Sequence, residues 1–193
     1  MSTTTEQLIR DSIATGEKLL SGSHISAIDA VAHTIINAYR SRRKVLVFGN
    51  GGSASDAQHL VAELVCRFEK NRPALPALAL TTNTSSLTAI GNDFSFEDVF
   101  SRQVEALAAP DDVVIGISTS GNSPNVLKAI EQAKALKAVT VGFTGGGGGK
   151  LKVAVDVCFC APSMVTARIQ ECHILAIHIV SRLIEEALFG EKN

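Results

Sequence analysis

The sequence carries no excess of either charge: 18 lysines and arginines stand against 19 aspartates and glutamates, for a formal charge of −1. With a pI near 6.5, that balance leaves no electrostatic footprint for nucleic acid. No apolar run reaches the roughly 18 residues of a membrane span. The N-terminal MSTTTEQLIRDS has an early acidic residue and lacks the apolar core of a secretory leader. A cytoplasmic protein without a membrane partner is therefore expected. Cysteine is scarce, with four residues, no CxxC pair and no zinc-finger spacing. Cys66, Cys158, Cys160 and Cys172 read as reduced and structural, and Cys158 and Cys160 would share one face of a strand as small hydrophobes. There is no GKS or GKT, which excludes a nucleotide P-loop. Charged residues are only 19% against 46% apolar, which excludes disorder and favours a well-covered sheet or an oligomer.

What is present centres on Lys44 to Phe68. The apolar run Val45-Leu46-Val47-Phe48 suits a parallel strand buried on both faces. Gly49-Asn50-Gly51-Gly52 follows, where missing Cβ atoms permit φ > 0 and let a ligand come close. Ser53 is placed to cap a helix whose apolar stripe is Ala57, Leu60, Val61, Leu64 and Val65. Strand, glycine turn and helix N-terminus make an anion or sugar site. His59 and Glu63 stand at i and i+4, so both leave one face of that helix.

The remaining pattern alternates. Helices are expected over residues 5–21 and about 25–42, separated by Ser21-Gly22-Ser23, as sheet cover and subunit interface in some mixture. Strands are expected over 76–82, 113–117, 139–144 and 153–160. A short helical turn is expected at 85–90, a loop at Gly91-Asn92-Asp93, and helices at 96–107, 124–137 and 166–188. Ser123 as N-cap and Pro124 at the first helical position mark one start clearly. Gly145 to Gly149 reads as a flexible loop with no intrinsic shape. At 193 residues, without repeat or linker, the chain is expected to be one α/β domain, a three-layer sandwich around a five-stranded parallel sheet with a pair of extra N-terminal helices over residues 1–43.

Ligands of open parallel sheets bind past the carboxyl ends of the strands. The turns at 49–53 and 118–123 both fall there. The second offers the hydroxyls of Ser118, Thr119, Ser120 and Ser123 beside a helix N-terminus, a set suited to a phosphate dianion. Read alone, it has a plainer but less favoured reading as a Ser/Thr-rich turn that merely caps a helix. Gly49-x-Gly51-x-x-Ala54 fits the dinucleotide fingerprint, but Thr81 and Thr82 stand where the second strand needs an acidic residue. Glu69 falls on or just after the helix, so the nicotinamide reading fails.

Taken together, GNGGSASDAQH, NRPALPALALTT, GNDFSFEDVFSRQVEAL, ISTSGNSPN and RIQECH–IH resemble the sugar isomerase (SIS) family, closest to its isomerases of heptose phosphates, over essentially the whole chain. That resemblance implies interconversion of sedoheptulose 7-phosphate and a glycero-manno-heptose 7-phosphate, the first step toward the nucleotide-activated heptose of lipopolysaccharide. It implies proton transfer by Glu63 and His178, and one zinc ion per subunit on His59, Glu63, Gln170 and His178. It implies substrate contacts from Asn50, Gly51, Gly52, Ser53, Glu63, Asn92, Asp93, Ser118, Thr119, Ser120, Ser123 and Gln170. The expected assembly is a homotetramer with active sites at subunit interfaces.

The chemistry asks for the same groups. Ketose–aldose exchange through an enediol needs a carboxylate-type base, a second proton carrier and stabilisation of oxyanion charge. Singly, each residue has a plainer reading: the His59/Glu63 pair as a helix-surface ion pair, His178 as a core or interface histidine. Gln170 and His178 are eight apart, about 12 Å along a helix. Either their side chains lean together, or the helix starts late, or different subunits supply them; His173 is a rival ligand. Two features depart from the family pattern: Ala167 where some members carry an acidic residue, and the bare glycine run at 145–149. A second SIS class, a scaffold that binds the replication initiator, lacks the Glu63- and His178-type residues. A third would isomerise another phosphosugar, usually with extra domains.

Overall fold

The computed structural model describes residues 2–190. Five parallel strands run β1 (Val45–Gly49), β2 (Ala77–Ala79), β3 (Val113–Ile117), β4 (Val139–Gly145) and β5 (Val157–Ala161). Their order across the sheet is β2-β1-β3-β4-β5, so the chain reverses direction between β1 and β3. Crevices open at such switch points, and here the two candidate turns leave neighbouring strands, with Gly49 in register with Ile117.

Alternation along the strands builds two cores. Val45, Val47, Val113, Ile115 and Ile117 face one, while Leu46, Phe48 and Val114 face the other. The first is covered by α2 (Gly22–Arg40), α3 (Gly52–Val65) and α8 (Thr166–Phe189). The second is covered by α4 (Thr84–Asp93), α5 (Ser101–Leu107), α6 (Pro124–Ala135) and α7 (Gly149–Ala154). The expected three-layer sandwich is therefore observed. α1 (Ser2–Lys18) lies outside it against α8, bent 75° from α2, with Leu8, Ile9 and Ile13 exposed. Among the described residues no single helix is long and apolar enough to cross a membrane.

Several local expectations are corrected. Gly91-Asn92-Asp93 is the end of α4 rather than a loop. The helix expected over 96–107 is broken into a 3-10 turn at Phe96–Asp98 and α5. The Ser95 hydroxyl donates to Asp98 at 2.6 Å and tightens that first turn. Residues 153–154 close α7 rather than open β5. Asp156 locks the turn between them, its Oδ2 accepting from the Thr140 N–H (2.8 Å) and hydroxyl (2.7 Å). The glycine run is ordered. Gly146, Gly148 and Gly149 all have positive φ, and a Cβ on Gly121 would lie 2.0 Å from the Gly148 carbonyl oxygen. Glycine there permits both the left-handed backbone and the close approach of two loops.

Candidate active site

α3 starts where β1 ends, with Gly51 (φ 56°, ψ −121°) as the cap residue. Ser53 is therefore the second helical residue, not the cap. It is buried, because Gly49 and the first turn of α3 are in contact and a Cβ on Gly49 would meet Ser53 Cβ at 2.8 Å. Three turns of α3 bring His59 and Glu63 to one face, and α8 brings His178 beside them. His59 Nε2 lies 2.9 Å from Glu63 Oε1 and 3.1 Å from His178 Nε2. One face of His178 is stacked on Phe68, with centroids 5.6 Å apart and planes at 22°. The side chains of His59 and Glu63 are 42% and 20% exposed, so the cluster is open to a ligand.

Three electron-pair donors converge here. One ring proton on His59 Nε2 cannot serve both Glu63 and His178, and two facing ring nitrogens are a mismatch that a cation resolves. Among the described residues, His59, Glu63 and His178 form a group able to hold a metal, with ligand atoms within 4.8 Å of one another. Nitrogen and carboxylate oxygen are donors that zinc accepts, so the residues fit a divalent ion.

Gln170, expected to share one ion with His178, is not at the cluster: α8 runs beside α3 in the same direction, and eight residues of helix keep the two apart. Gln170 sits at the glycine turn, where a Cβ on Gly52 would lie 2.2 Å from its Nε2, while His178 sits beside the third turn of α3. His173 is not at the cluster: it is fully buried, and its Nε2–H donates to the Thr144 carbonyl at 3.0 Å. Burial drives its pKa down to about 4, with the Thr144 bond a lesser opposing influence.

The second turn joins the first through Asn50 and Asn125. Their side-chain amides exchange two hydrogen bonds of 2.9 Å across the switch point. Ser118 and Ser123 pair through their hydroxyls at 2.9 Å, so Ser123 holds the cap position of α6 without a side-chain bond to that helix. Thr119 and Ser120 line a cleft of 420 Å³ together with Gly145, Gly146 and Gly147. Asn92 and Asp93 pair with each other at 2.8 Å at the end of α4. Among the described residues, no hydrogen bond ties them to the other candidates.

Three features escape sequence reading. Asn125 looks like any polar residue in a first helical turn. Asp56, one turn before His59, has a buried carboxylate oxygen without a partner; burial raises its pKa to about 6 while His59 pulls the other way. The third is a clamp beneath the cluster. Glu185 accepts from the backbone N–H groups of Phe68, Glu69 and Lys70, each at 2.9 Å, and from Arg72 Nε at 2.8 Å. Arg72 in turn donates to the carbonyls of Glu63 (2.7 Å) and Leu64 (2.9 Å). Burial alone would raise the Glu185 pKa, but these donors outweigh it and hold it at about 2. An unbroken Asn-Arg-Pro after a helix and a lone Glu late in an apolar helix are the available signals, and neither reveals that they meet.

A parallel sheet with strand order 2-1-3-4-5, a glycine turn and a hydroxyl-rich turn at its switch point define a doubly wound α/β domain with an anion-ready ligand crevice. Residues 10–145 match the SIS domain family, and the chain belongs to it. Within that family it belongs with the phosphoheptose isomerases. It is 50% identical over 188 residues to the phosphoheptose isomerase of Clostridium acetobutylicum, covering 97% of this chain and 96% of that one. It is 56% identical over 156 residues to that of Aquifex aeolicus, covering 81% and 82%. The structure of a phosphoheptose isomerase from Francisella tularensis superposes with a TM-score of 0.92 at 36% identity, covering 95% and 97%.

Proposed function

We infer that the protein is an aldose–ketose isomerase that interconverts sedoheptulose 7-phosphate and D-glycero-D-manno-heptose 7-phosphate through an enediol. The observation that carries this reading is the convergence of Glu63, His59 and His178 at 2.9 and 3.1 Å beside two anion-ready turns. Glu63 and His178 separate it from the scaffold class, which lacks residues of those types.

The phosphate is held by the hydroxyls of Ser118, Thr119, Ser120 and Ser123 at the N-terminus of α6, where several donors and the helix dipole meet a dianion. Asn50, Gly51, Gly52, Ser53 and Gln170 line the sugar at the glycine turn, with Asn92 and Asp93 as further contacts from α4. Glu63 takes the proton from C2 or C1, and His178 carries the proton between O1 and O2. Phe68 fixes the plane of the His178 ring, and the Asn50–Asn125 pair fixes the spacing between the two turns.

His59, Glu63 and His178 would hold one zinc ion per subunit, which would supply polarisation of the carbonyl and stabilisation of oxyanion charge, while Gln170 stays with the sugar at the glycine turn. A site without thiolates binds zinc less tightly, so the metal is partly lost in purification. The exposed apolar residues Leu8, Ile9 and Ile13 on α1 with Leu175 and Ile179 on α8 support a homotetramer with active sites near its interfaces. A fully active monomer in sedimentation would refute that assembly. The protein would act in the cytoplasm, at the entry to nucleotide-activated heptose synthesis.

The deciding experiment supplies sedoheptulose 7-phosphate and follows aldoheptose phosphate, with and without a chelator and with elemental analysis in parallel. Turnover lost with the metal and restored by zinc supports the full reading. Full activity in metal-free protein removes the metal and leaves the Glu63–His178 pair. No turnover under either condition overturns the activity.

A further inference from the structure

β5 is a sheet edge, paired only with β4, and it carries Cys158 and Cys160 at alternate positions. Alternate residues leave the same face of a strand. Both cysteines are partly exposed, and their sulfur atoms lie 3.7 Å apart. Cys66 and Cys172 stand elsewhere, on the C-cap of α3 and within α8. The pair shares its face with α7. Cys158 Sγ lies 3.4 Å from where a Cβ on Gly142 would sit, in company with Leu151 and Val155 of the α7 region.

We propose that Cys158 and Cys160 form a reversible dithiol–disulfide site that is oxidised by hydroperoxides. The nucleophile is Cys160. When Cys160 is the thiolate, the Cys158 thiol donates to it across their 3.7 Å contact, which holds the Cys160 thiol below its ordinary range against partial burial, and the charge of Lys152 acts in the same direction. The Cys160 thiolate attacks one peroxide oxygen, the O–O bond breaks, and the alcohol or water leaves with a proton from solvent. The Cys158 sulfur then attacks the Cys160 sulfenic sulfur, the S–S bond forms, the S–O bond breaks, and water leaves. Two thiols and one hydroperoxide give one disulfide, one alcohol or water, and one further water. Two electrons pass from the sulfurs to the peroxide.

Geometry makes this bond reversible. Alternate residues of an extended strand are roughly 6.6–6.8 Å apart, the upper end of what a disulfide spans. Closure brings the sulfurs from 3.7 Å to about 2.05 Å and shortens the strand, which an edge strand tolerates because only one neighbour constrains it. Strained, exposed disulfides are the ones readily reduced. The shortening reaches the candidate cleft, because the Ala161 carbonyl at the end of β5 accepts from the Gly146 N–H at 3.1 Å. Gly148 of that run is in close contact with Gly121 in the turn after β3.

The test uses the whole reduced protein, stepped amounts of hydrogen peroxide, alkylation of remaining thiols, and trypsin. Both cysteines fall in a single tryptic peptide, Val153–Arg168. The expected result is a peptide that loses two hydrogens and resists alkylation at a dose where Cys66 is still alkylated, and that regains two alkylatable thiols with dithiothreitol. In the Cys158→Ala protein the same peptide should gain oxygen on Cys160 instead. Backbone exchange across residues 145–149 should rise on oxidation. A wild-type peptide that gains oxygen on Cys158 or Cys160 (as distinct from the exposed Met164) without losing two hydrogens, or a disulfide to Cys66, Cys172 or a second chain, overturns the site. Unchanged exchange at 145–149 in the oxidised protein overturns its coupling to the cleft.

Discussion

α3 and α8 hold two charged clusters within a few turns of each other, and they are built on opposite rules. At the Arg72–Glu185 clamp both side chains are 2% exposed or less, and every carboxylate oxygen has donors. At His59, Glu63 and His178 the groups are partly exposed, and two ring nitrogens face each other across 3.1 Å. A satisfied buried network makes a scaffold rigid; an unsatisfied, accessible one is prepared for a ligand. The two are coupled through the backbone, because Arg72 binds the carbonyl of Glu63 itself and Glu185 holds the amide of Phe68, whose ring supports His178.

The largest effect should come from the open cluster. Glu63→Gln keeps the shape of the side chain and removes the base, so turnover should fall by about 10²–10⁴ while the unfolding midpoint barely moves. A folded Glu63→Gln protein that isomerises at near wild-type rate would sink the base assignment. The clamp should behave the other way round. Arg72→Met leaves Glu185 buried with its countercharge gone, and stability should fall by roughly 3–5 kcal/mol in urea. Pairing it with Glu185→Leu should recover part of that loss, because two apolar groups leave no orphaned charge. A double variant no better than the single would place the stability in the three backbone bonds rather than in the ion pair.

A third buried polar group lies between these extremes. His173 is enclosed, with one nitrogen paired to the Thr144 carbonyl and Nδ1 without a partner. Its folded pKa of about 4 lies below the ordinary 6.5, so below pH 6.5 the unfolded chain takes up a proton that the folded one refuses. Its stability contribution is complete above pH 6.5 and is lost as pH falls toward 4. At pH 5 the loss is about 2 kcal/mol. Asp56, raised to about 6, shifts stability in the opposite direction. Comparing wild type with His173→Leu cancels that contribution. Urea unfolding at pH 7 and pH 5 should show a smaller acid loss in the variant, and equal losses would remove His173 from the account.

These differences also explain what could be read from the chain alone. β1, β3 and β4 were legible because continuous β-branched and apolar runs have few alternatives, and Ser123-Pro124 marked a helix start that the structure keeps. His59 and Glu63 were legible because i, i+4 spacing is local. β5 was misplaced at its start because VAVDVCFC alternates like a strand throughout, and only the Asp156–Thr140 contact, 16 residues apart, ends α7 there. The glycine run reads as shapeless until Gly121 comes up against it. The Gln170–His178 spacing is a true separation: with α3 and α8 parallel, Gln170 serves the glycine turn and His178 the His59–Glu63 cluster.

The smallest effect should come from the hydroxyl-rich turn, where satisfaction is provisional. Ser118 and Ser123 bind each other at 2.9 Å, which leaves each hydroxyl a weak local partner that a phosphate can replace. Ser123→Ala removes one donor from a site that also has Thr119, Ser120 and the α6 N-terminus. The loss should therefore be one hydrogen bond to a charged group, about 1.5–3 kcal/mol at most, and less where Ser118 turns to compensate. Pro124 keeps the helix start in place, so unfolding should change by under about 1 kcal/mol. The effect should appear in KM for the phosphorylated sugar with kcat nearly unchanged, because the phosphate is bound equally in ground and transition states. A drop in kcat at constant KM would instead tie this turn to the proton-transfer geometry, and would erase the division of labour between the two turns at the switch point.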